Sequence, residues 1–275
     1  MATQLKSKAN QKALTGVPGT EPGAHMDAWW WLVVLVVAVA TLLVTLKPDP
    51  FWRFVLYARD GIYLTVWVTV VSFVLVLIVG MFGGLGRLSK NKFISWLSSL
   101  YVEMVRGVPL MVQLLWWYYA FPVIFQKFGT LLNWSWAQHY RANPILMAIA
   151  GLTFGYGAFM SEIYRAGIQS IPIGQMEAAR SQGMTYLQAM RHVILPQAIR
   201  VIMPPVGNEF IALLKDSSLV SVVAVADLTR RGKEFMSTHF NPIESMSMVA
   251  LLYLIMTLFA ARVVTFIEKK TKLER

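Results

Sequence analysis

The sequence contains no cysteine, so it has neither a disulfide framework nor a thiolate metal site, and cysteine usage says nothing of the compartment. Its four histidines, His25, His139, His192 and His239, are scattered without metal-ligand spacing, and no metal centre is expected. No G-x-x-x-x-G-K-[ST] phosphate loop occurs, so any ATP chemistry belongs to another chain. The close-set glycines of GMFGGLGRL (80–88) lack the lysine–serine pair that would follow and read as a flexible helix end. Alternating segments of about ten residues, the signature of a membrane β-barrel, are missing as well. Charge is scarce, at 14% of residues, and acidic residues number 14 against 25 basic ones.

What is present is apolar. Hydrophobic residues make up 56% of the 275, the mean hydropathy is +0.54, and there are ten tryptophans. This is the profile of an all-α integral membrane protein. A hydrocarbon core about 30 Å thick needs roughly 20 mostly apolar residues per helix. Segments that meet or approach this lie near 29–46, 61–82, 108–125, 144–163 and 245–267, with another, 199–225, built around polar residues.

The net charge of +11 suggests nucleic acid in a soluble protein; in a membrane chain it is explained by cytoplasmic lysine and arginine. With six crossings and a cytoplasmic N-terminus, stretches 1–28, 83–92, 164–200 and the tail hold fourteen basic residues, and the opposite loops hold eight. Both termini are therefore expected in the cytoplasm. Residues 1–28 read as a disordered cytoplasmic arm. Trp29, Trp30 and Trp31 mark an interface before an additional N-terminal anchor, 29–46. A cleavable signal peptide is the competing reading, but TLKPDP offers no small-x-small cleavage site.

Between two expected spans lies EAARSQGMTYLQAMRHVILP (177–196), which has no long apolar run. Pro172 and Gly174 end the preceding element. Residues 175–182 form helix readily, with Glu177 expected in the first turn, where the dipole favours an anion. Gly183 suits a left-handed helix end. Thr185 with Gln188 makes a capping box for a second short helix, which Pro196 closes by removing a backbone donor and restricting Leu195. Met176, Ala179, Gly183, Leu187, Met190 and Ile194 recur at helical steps and give one apolar side. Such an elbow can dock a partner or rest on the bilayer or on its own bundle. A DNA-reading helix-turn-helix, suggested by Arg180, Arg191 and Arg200, conflicts with its place between two spans.

The other polar concentration is within 199–225. Asn208, Lys215 and Leu219 fall on one helical face, and Glu209, Ala212 and Asp216 on the next. A stripe of both signs suits an amino acid, with its ammonium and carboxylate; equally, it can fasten helices together. Pro204 and Pro205 suggest a broken helix, tolerated at membrane depth beside protein or a wet cavity. Glu162 with Arg165, and Glu103 with Arg106, are each three apart and expected to form structural pairs. Gly107 and Pro109 could give a bend, and Arg262 is expected to snorkel to the interface.

EAARSQG, followed after nine residues by VILP, resembles the cytoplasmic EAA loop of ABC importer permeases. RGVPLMVQ (106–113), SEIYRAGIQSIPIGQ (161–175) and PPVGNEFIALLKDSSLVSV (204–222) resemble the polar amino acid branch. The resemblance runs from about Gly61 to the C-terminus. Val193, where the family usually has isoleucine, departs without consequence; residues 1–56 depart more, since the typical core lacks them. The resemblance implies a five-helix permease core, 57–270, plus one extra N-terminal transmembrane helix, with a coupling loop at 170–197. It implies two cytoplasmic ABC ATPase subunits that hold ATP and Mg, an extracytoplasmic amino acid binding protein, and a second permease subunit, in a bacterial plasma (inner) membrane. No cofactor is expected on this chain, and no nucleic acid partner. Coupling residues are then Glu177, Ala178, Ala179, Gly183, Leu187 and Pro196. The pathway residues are Asn208, Glu209, Lys215, Asp216 and Ser217, with Glu162 and Arg106 secondary. The rivals are a secondary carrier or channel, which gives the elbow no purpose and would show repeated spans, and a membrane-anchored regulator that does not transport.

Overall fold

The computed structural model of the chain describes residues 28–271, and the arm expected over residues 1–28 falls, but for Ala28, outside them. Among the described residues every regular element is helical. Three helices among the described residues are long and apolar enough to cross a membrane: Pro48–Arg87, Pro144–Gln169 and Pro242–Lys269. A fourth crossing is available to a bent pair, Lys92–Arg106 and Leu110–Leu131. The extra helix, Ala28–Leu46, packs on the second and last helices, and the Arg262 guanidinium lies 4.8 Å from the Trp30 ring centroid. Arg262 is thus held over an aromatic face, within its helix and not at the helix end.

The segment expected at 61–82 is the later part of a 40-residue helix, Pro48–Arg87, whose main neighbour is Pro144–Gln169. Small residues allow that approach. A Cβ on Gly80 would stand 2.5 Å from Met160 Cγ, one on Gly84 2.8 Å from the Ser161 carbonyl, and one on Gly157 2.7 Å from Val79 Cγ1. The glycine run at 80–88 is therefore a packing notch within a helix and not a flexible end. Lipid tails are as apolar as leucine, so contact between such helices comes from close van der Waals packing, which small residues permit. Val68, Val76, Leu114, Leu152, Met160 and Leu213 fill the core beside the notch. Outward residues such as Tyr63, Phe82 and Phe259 stay exposed on the apolar rim.

Polar contacts fasten the Pro48–Arg87 helix to its neighbours toward both of its ends. At one end Arg87 bridges across to Glu162, which also pairs with Arg165. The Glu162–Arg165 pair expected from spacing is present, but as part of a three-member link between two helices. At the other end Arg231 pairs with Asp60 and with Glu234. There the Thr65 hydroxyl accepts from Leu228 N at 3.1 Å, and buried Asp227 caps the Leu228–His239 helix through the amides of Thr229 and Arg230, both at 3.0 Å.

Two segments differ from expectation. Lys92–Arg106 is a helix, capped by Asn91 accepting from Phe93 N at 2.9 Å, where apolar periodicity alone marked no span. It turns by 104° at Gly107–Pro109 into Leu110–Leu131. Gln113 secures that bend, its Nε2 donating to the carbonyls of Val105 and Val108, both at 2.8 Å, where the break interrupts the regular helical ladder. The segment 199–225 is a helix through Pro204 and Pro205 that ends at Asp216, followed by a 3-10 turn, Ser217–Val223. The break thus falls twelve residues beyond the first proline.

The glycine notch sets a test. Gly80→Leu is expected to lower the detergent melting temperature of the purified chain by several degrees, since overpacking costs about 1–3 kcal/mol. Gly174→Ala, where a Cβ meets nothing within 4 Å, is the control and should leave it unchanged. Equal melting for both variants would mean that the notch does not hold the pair together.

Candidate functional site: a charged cavity and the elbow on one helix

The Gly107–Pro109 bend and the helix end at Asp216 face each other across a cavity of about 500 Å³. Its wall is Arg106 to Leu110 and Gln113 from the bent pair, Tyr156 and Phe159 from Pro144–Gln169, and Glu209 and Asp216 from Leu195–Asp216. The Tyr156 hydroxyl donates to Asp216 Oδ2 at 2.7 Å, orienting the carboxylate. The Arg106 guanidinium lies 5.3 Å from the Phe159 ring centroid, a cation–π arrangement that holds it without neutralising it. Glu209 sits within electrostatic reach of Asp216 and Arg106. A cavity of this size with a few convergent polar groups has the proportions of a small-molecule site.

The polar stripe divides here. Glu209 and Asp216 line the cavity, whereas Asn208 and Lys215 are exposed on another face of the same helix. Ser217 is buried, and its hydroxyl donates to the Leu214 carbonyl at 2.7 Å, closing the helix end. Arg106 forms no ion pair with Glu103 among the described residues; it faces the cavity, so the pairing suggested by their spacing is not made. Glu162 is outside the lining, engaged by Arg87 and Arg165. Sequence reasoning missed Tyr156, Phe159 and Gln113. The available signal was the small-residue run GLTFGYGAF, where the two aromatic residues, three apart, share one helical face.

The elbow lies at the other end of the same two helices. Pro144–Gln169 leads into a short helix, Ile173–Ser181, which begins earlier than expected and places Glu177 in its second turn. Its end is a Schellman closure: Met184 N donates to the Ala179 carbonyl at 3.2 Å, Gly183 N donates to that of Arg180 at 3.0 Å, and Gly183 has φ of 84°. The capping box is formed, with Thr185 N donating to Gln188 Oε1 at 2.8 Å and Gln188 N to Thr185 Oγ1 at 3.3 Å. Pro196 does not close the second helix. Tyr186–Ala189 continues through a π turn, Met190–Ile194, directly into Leu195–Asp216, and Leu195 keeps helical dihedrals. The wider turn absorbs the missing donor and ring clash that proline imposes on an α-helix.

Ala179, Ala189 and Ile194 are the inward residues of the elbow, while Ile173 and Leu187 are 77% and 75% exposed. Leu187 is thus not on the inward side that helical spacing suggested. Glu177, Ala178 and Gly183 share the exposed surface, and Pro196 is exposed too. From Leu195 to Glu209 the helix rises about 21 Å, so elbow and cavity are rigidly joined by one element.

A bundle of membrane helices with a charged, partly open cavity between them and a protruding helical elbow defines a membrane-embedded transport component. Residues 76–273 match the family of binding-protein-dependent transport system inner membrane components. The chain belongs to that family. It is 31% identical over 222 residues to the glutamine transport system permease protein GlnP of Escherichia coli (strain K12), covering 81% of this chain and 96% of that one. It is 37% identical over 198 residues to the L-cystine transport system permease protein TcyB of Bacillus subtilis (strain 168), covering 72% and 77%. Among solved structures, an amino acid ABC transporter crystallised with histidines matches with a TM-score of 0.70 and 35% identity, over 83% of this chain and 98% of that one. The inward-facing MetNI methionine ABC transporter shares the fold, at a TM-score of 0.64 and 21% identity.

The left-handed glycine sets the local prediction. Gly183→Val is expected to loosen the Schellman closure, because a β-branched residue there costs about 1–2 kcal/mol. Amide hydrogen exchange at residues 182–185 should speed up several-fold, and Gly183→Asn should restore most of the protection. Unchanged exchange in Gly183→Val would show that the closure does not need glycine.

Proposed function

We propose that this chain is the pathway-forming permease subunit of an ATP-driven importer for polar amino acids, and that the cavity is its substrate station. The observation that carries the reading is the placement of opposite charges, Arg106 against Glu209 and Asp216, in one cavity beside the break of two helices. A guanidinium suits an α-carboxylate and a carboxylate suits an α-ammonium. The named relatives, handling glutamine and cystine, and the solved transporter bearing histidines support an amino acid substrate.

The elbow is the joint to two cytoplasmic ATPase subunits, which hold and hydrolyse ATP with Mg. Its exposed surface, with small Ala178 and Gly183 flanked by protruding Ile173 and Leu187, allows close approach of a partner backbone around apolar anchors. Movement of the elbow is passed along Leu195–Asp216 to Glu209 and Asp216. A binding protein delivers the amino acid on the outer side. A second permease subunit, the same chain or a related one, covers exposed Asn208 and Lys215. Both termini face the cytoplasm of a bacterial cell bounded by this inner membrane, and Ala28–Leu46 is an added anchor.

The test uses the complete complex with its ATPase and binding protein in liposomes. Removing a charged hydrogen-bond partner costs about 1.5–3 kcal/mol, so Arg106→Ala and Asp216→Asn are each expected to cut amino acid uptake at least about tenfold while the complex still assembles. Ala178→Glu, on the exposed side of the elbow, should instead release the ATPase in pull-down. Normal uptake in both cavity variants would sink the substrate station; normal ATPase retention with Ala178→Glu would sink the docking surface.

A further inference from the structure

The cavity is not electrically balanced. Its lining carries one guanidinium, Arg106, and two carboxylates, Glu209 and Asp216. The other basic groups are engaged elsewhere or turned away. Lys215 is exposed on a different face, and Arg87 and Arg165 are taken up by Glu162. Tyr156 gives Asp216 a hydrogen bond but no charge. The C-terminal end of Leu195–Asp216 adds the negative pole of a helix dipole beside the same carboxylate.

From this charge count we infer that the cavity is built for an amino acid with a cationic side chain, such as arginine or lysine. The inference deepens the reading of the cavity as substrate station and rests on it. A neutral-side-chain amino acid brings one positive and one negative group. Its carboxylate meets Arg106 and its ammonium meets one of the two acids, leaving the other acid uncompensated. An uncompensated charge at membrane depth costs a few kcal/mol. A cationic side chain supplies the missing partner, so that three protein charges meet three substrate charges and the filled cavity is neutral. An acidic side chain would bring a fourth carboxylate, after Glu209, Asp216 and the substrate's own α-carboxylate, and leave an excess of two negative charges. The Phe159 ring beside Arg106 gives the aliphatic stem of a long side chain apolar surface to lie on.

Selection by the external binding protein is separated from selection by the cavity when the binding protein is left out. The permease–ATPase complex in lipid nanodiscs is titrated with labelled arginine, glutamine and glutamate at equilibrium. Arginine is expected to bind at least about tenfold more tightly than glutamine, a factor worth about 1.4 kcal/mol, with glutamate weakest. Glu209→Gln should lower arginine affinity about tenfold and, by removing the acid that glutamine leaves uncompensated, raise glutamine affinity, closing the gap between them. Glutamine or glutamate binding as well as arginine in the unmodified complex would overturn the inference. So would an arginine preference that persists in Glu209→Gln. If glutamine binds, is lost with Arg106→Ala, and arginine has no advantage, the cavity remains the station and the cationic class is wrong. If no amino acid binds and the cavity variants change nothing, the station itself is refuted.

Discussion

Ionisable groups at membrane depth must be satisfied by protein or by water held within protein. That constraint organises this molecule. Arg106, Glu209 and Asp216 can meet only where regular helix stops, since a straight helix leaves no room for a cavity between close neighbours. Two interruptions provide the room: the 104° turn at Gly107–Pro109 and the change to a 3-10 turn after Asp216. Each is secured locally, the first by Gln113 bonding the carbonyls of Val105 and Val108, the second by Ser217 bonding that of Leu214. The rest of the bundle is built to hold these two interruptions opposite each other. The glycine notch locks the Pro48–Arg87 and Pro144–Gln169 helices, the Arg87–Glu162 ion pair ties them together at one end, and the Asp60–Arg231 pair ties the first of them to Leu228–His239.

Mechanical continuity follows from the same arrangement. Tyr156 and Phe159 stand on a helix that runs on to the elbow, and Glu209 and Asp216 stand on the helix that leaves it. The π turn at Met190–Ile194 lets the second of these begin inside the elbow without a hinge at Pro196. Ile173–Ser181 is therefore joined to the cavity through two helices, the kind of physical connection that coupling between distant sites requires. The three-member cluster Arg87–Glu162–Arg165 lies along that route and ties the Pro144–Gln169 helix to Pro48–Arg87.

Much of this was legible in the sequence because the signals were local. Gly183 takes its left-handed conformation, Thr185 and Gln188 form their reciprocal cap, and Gly107 with Pro109 bends the chain. Hydropathy also located the apolar cores of the long helices. Other features depended on partners distant in sequence. The Lys92–Arg106 helix is amphipathic and short of a span, so a hydropathy window passes over it. Pro196, Pro204 and Pro205 read as breakers because proline lacks a donor, yet a π turn absorbs the first and the helix continues through the other two. Arg106 and Glu103 have the spacing of a pair, but the bend beside Arg106 turns it to Phe159 and the cavity. Lys215 neighbours Asp216 in sequence and faces away from it, which periodicity implies only once the inward face is known.

Because the natural sequence has no cysteine, a single introduced thiol reports solvent access and substrate protection without further engineering. The most direct measurement places one cysteine at Phe159, in the cavity wall, and in a separate variant at Phe259, on the exposed apolar rim of the last helix. Both are treated in the assembled transporter with a membrane-impermeant thiol reagent, with and without amino acid. The account predicts that Phe159→Cys reacts and is protected by a transported amino acid, while Phe259→Cys is unreactive in either condition. A Phe159→Cys thiol that stays unreactive through the transport cycle, or reacts at the same rate with amino acid present, would contradict a water-accessible substrate station between Arg106, Glu209 and Asp216.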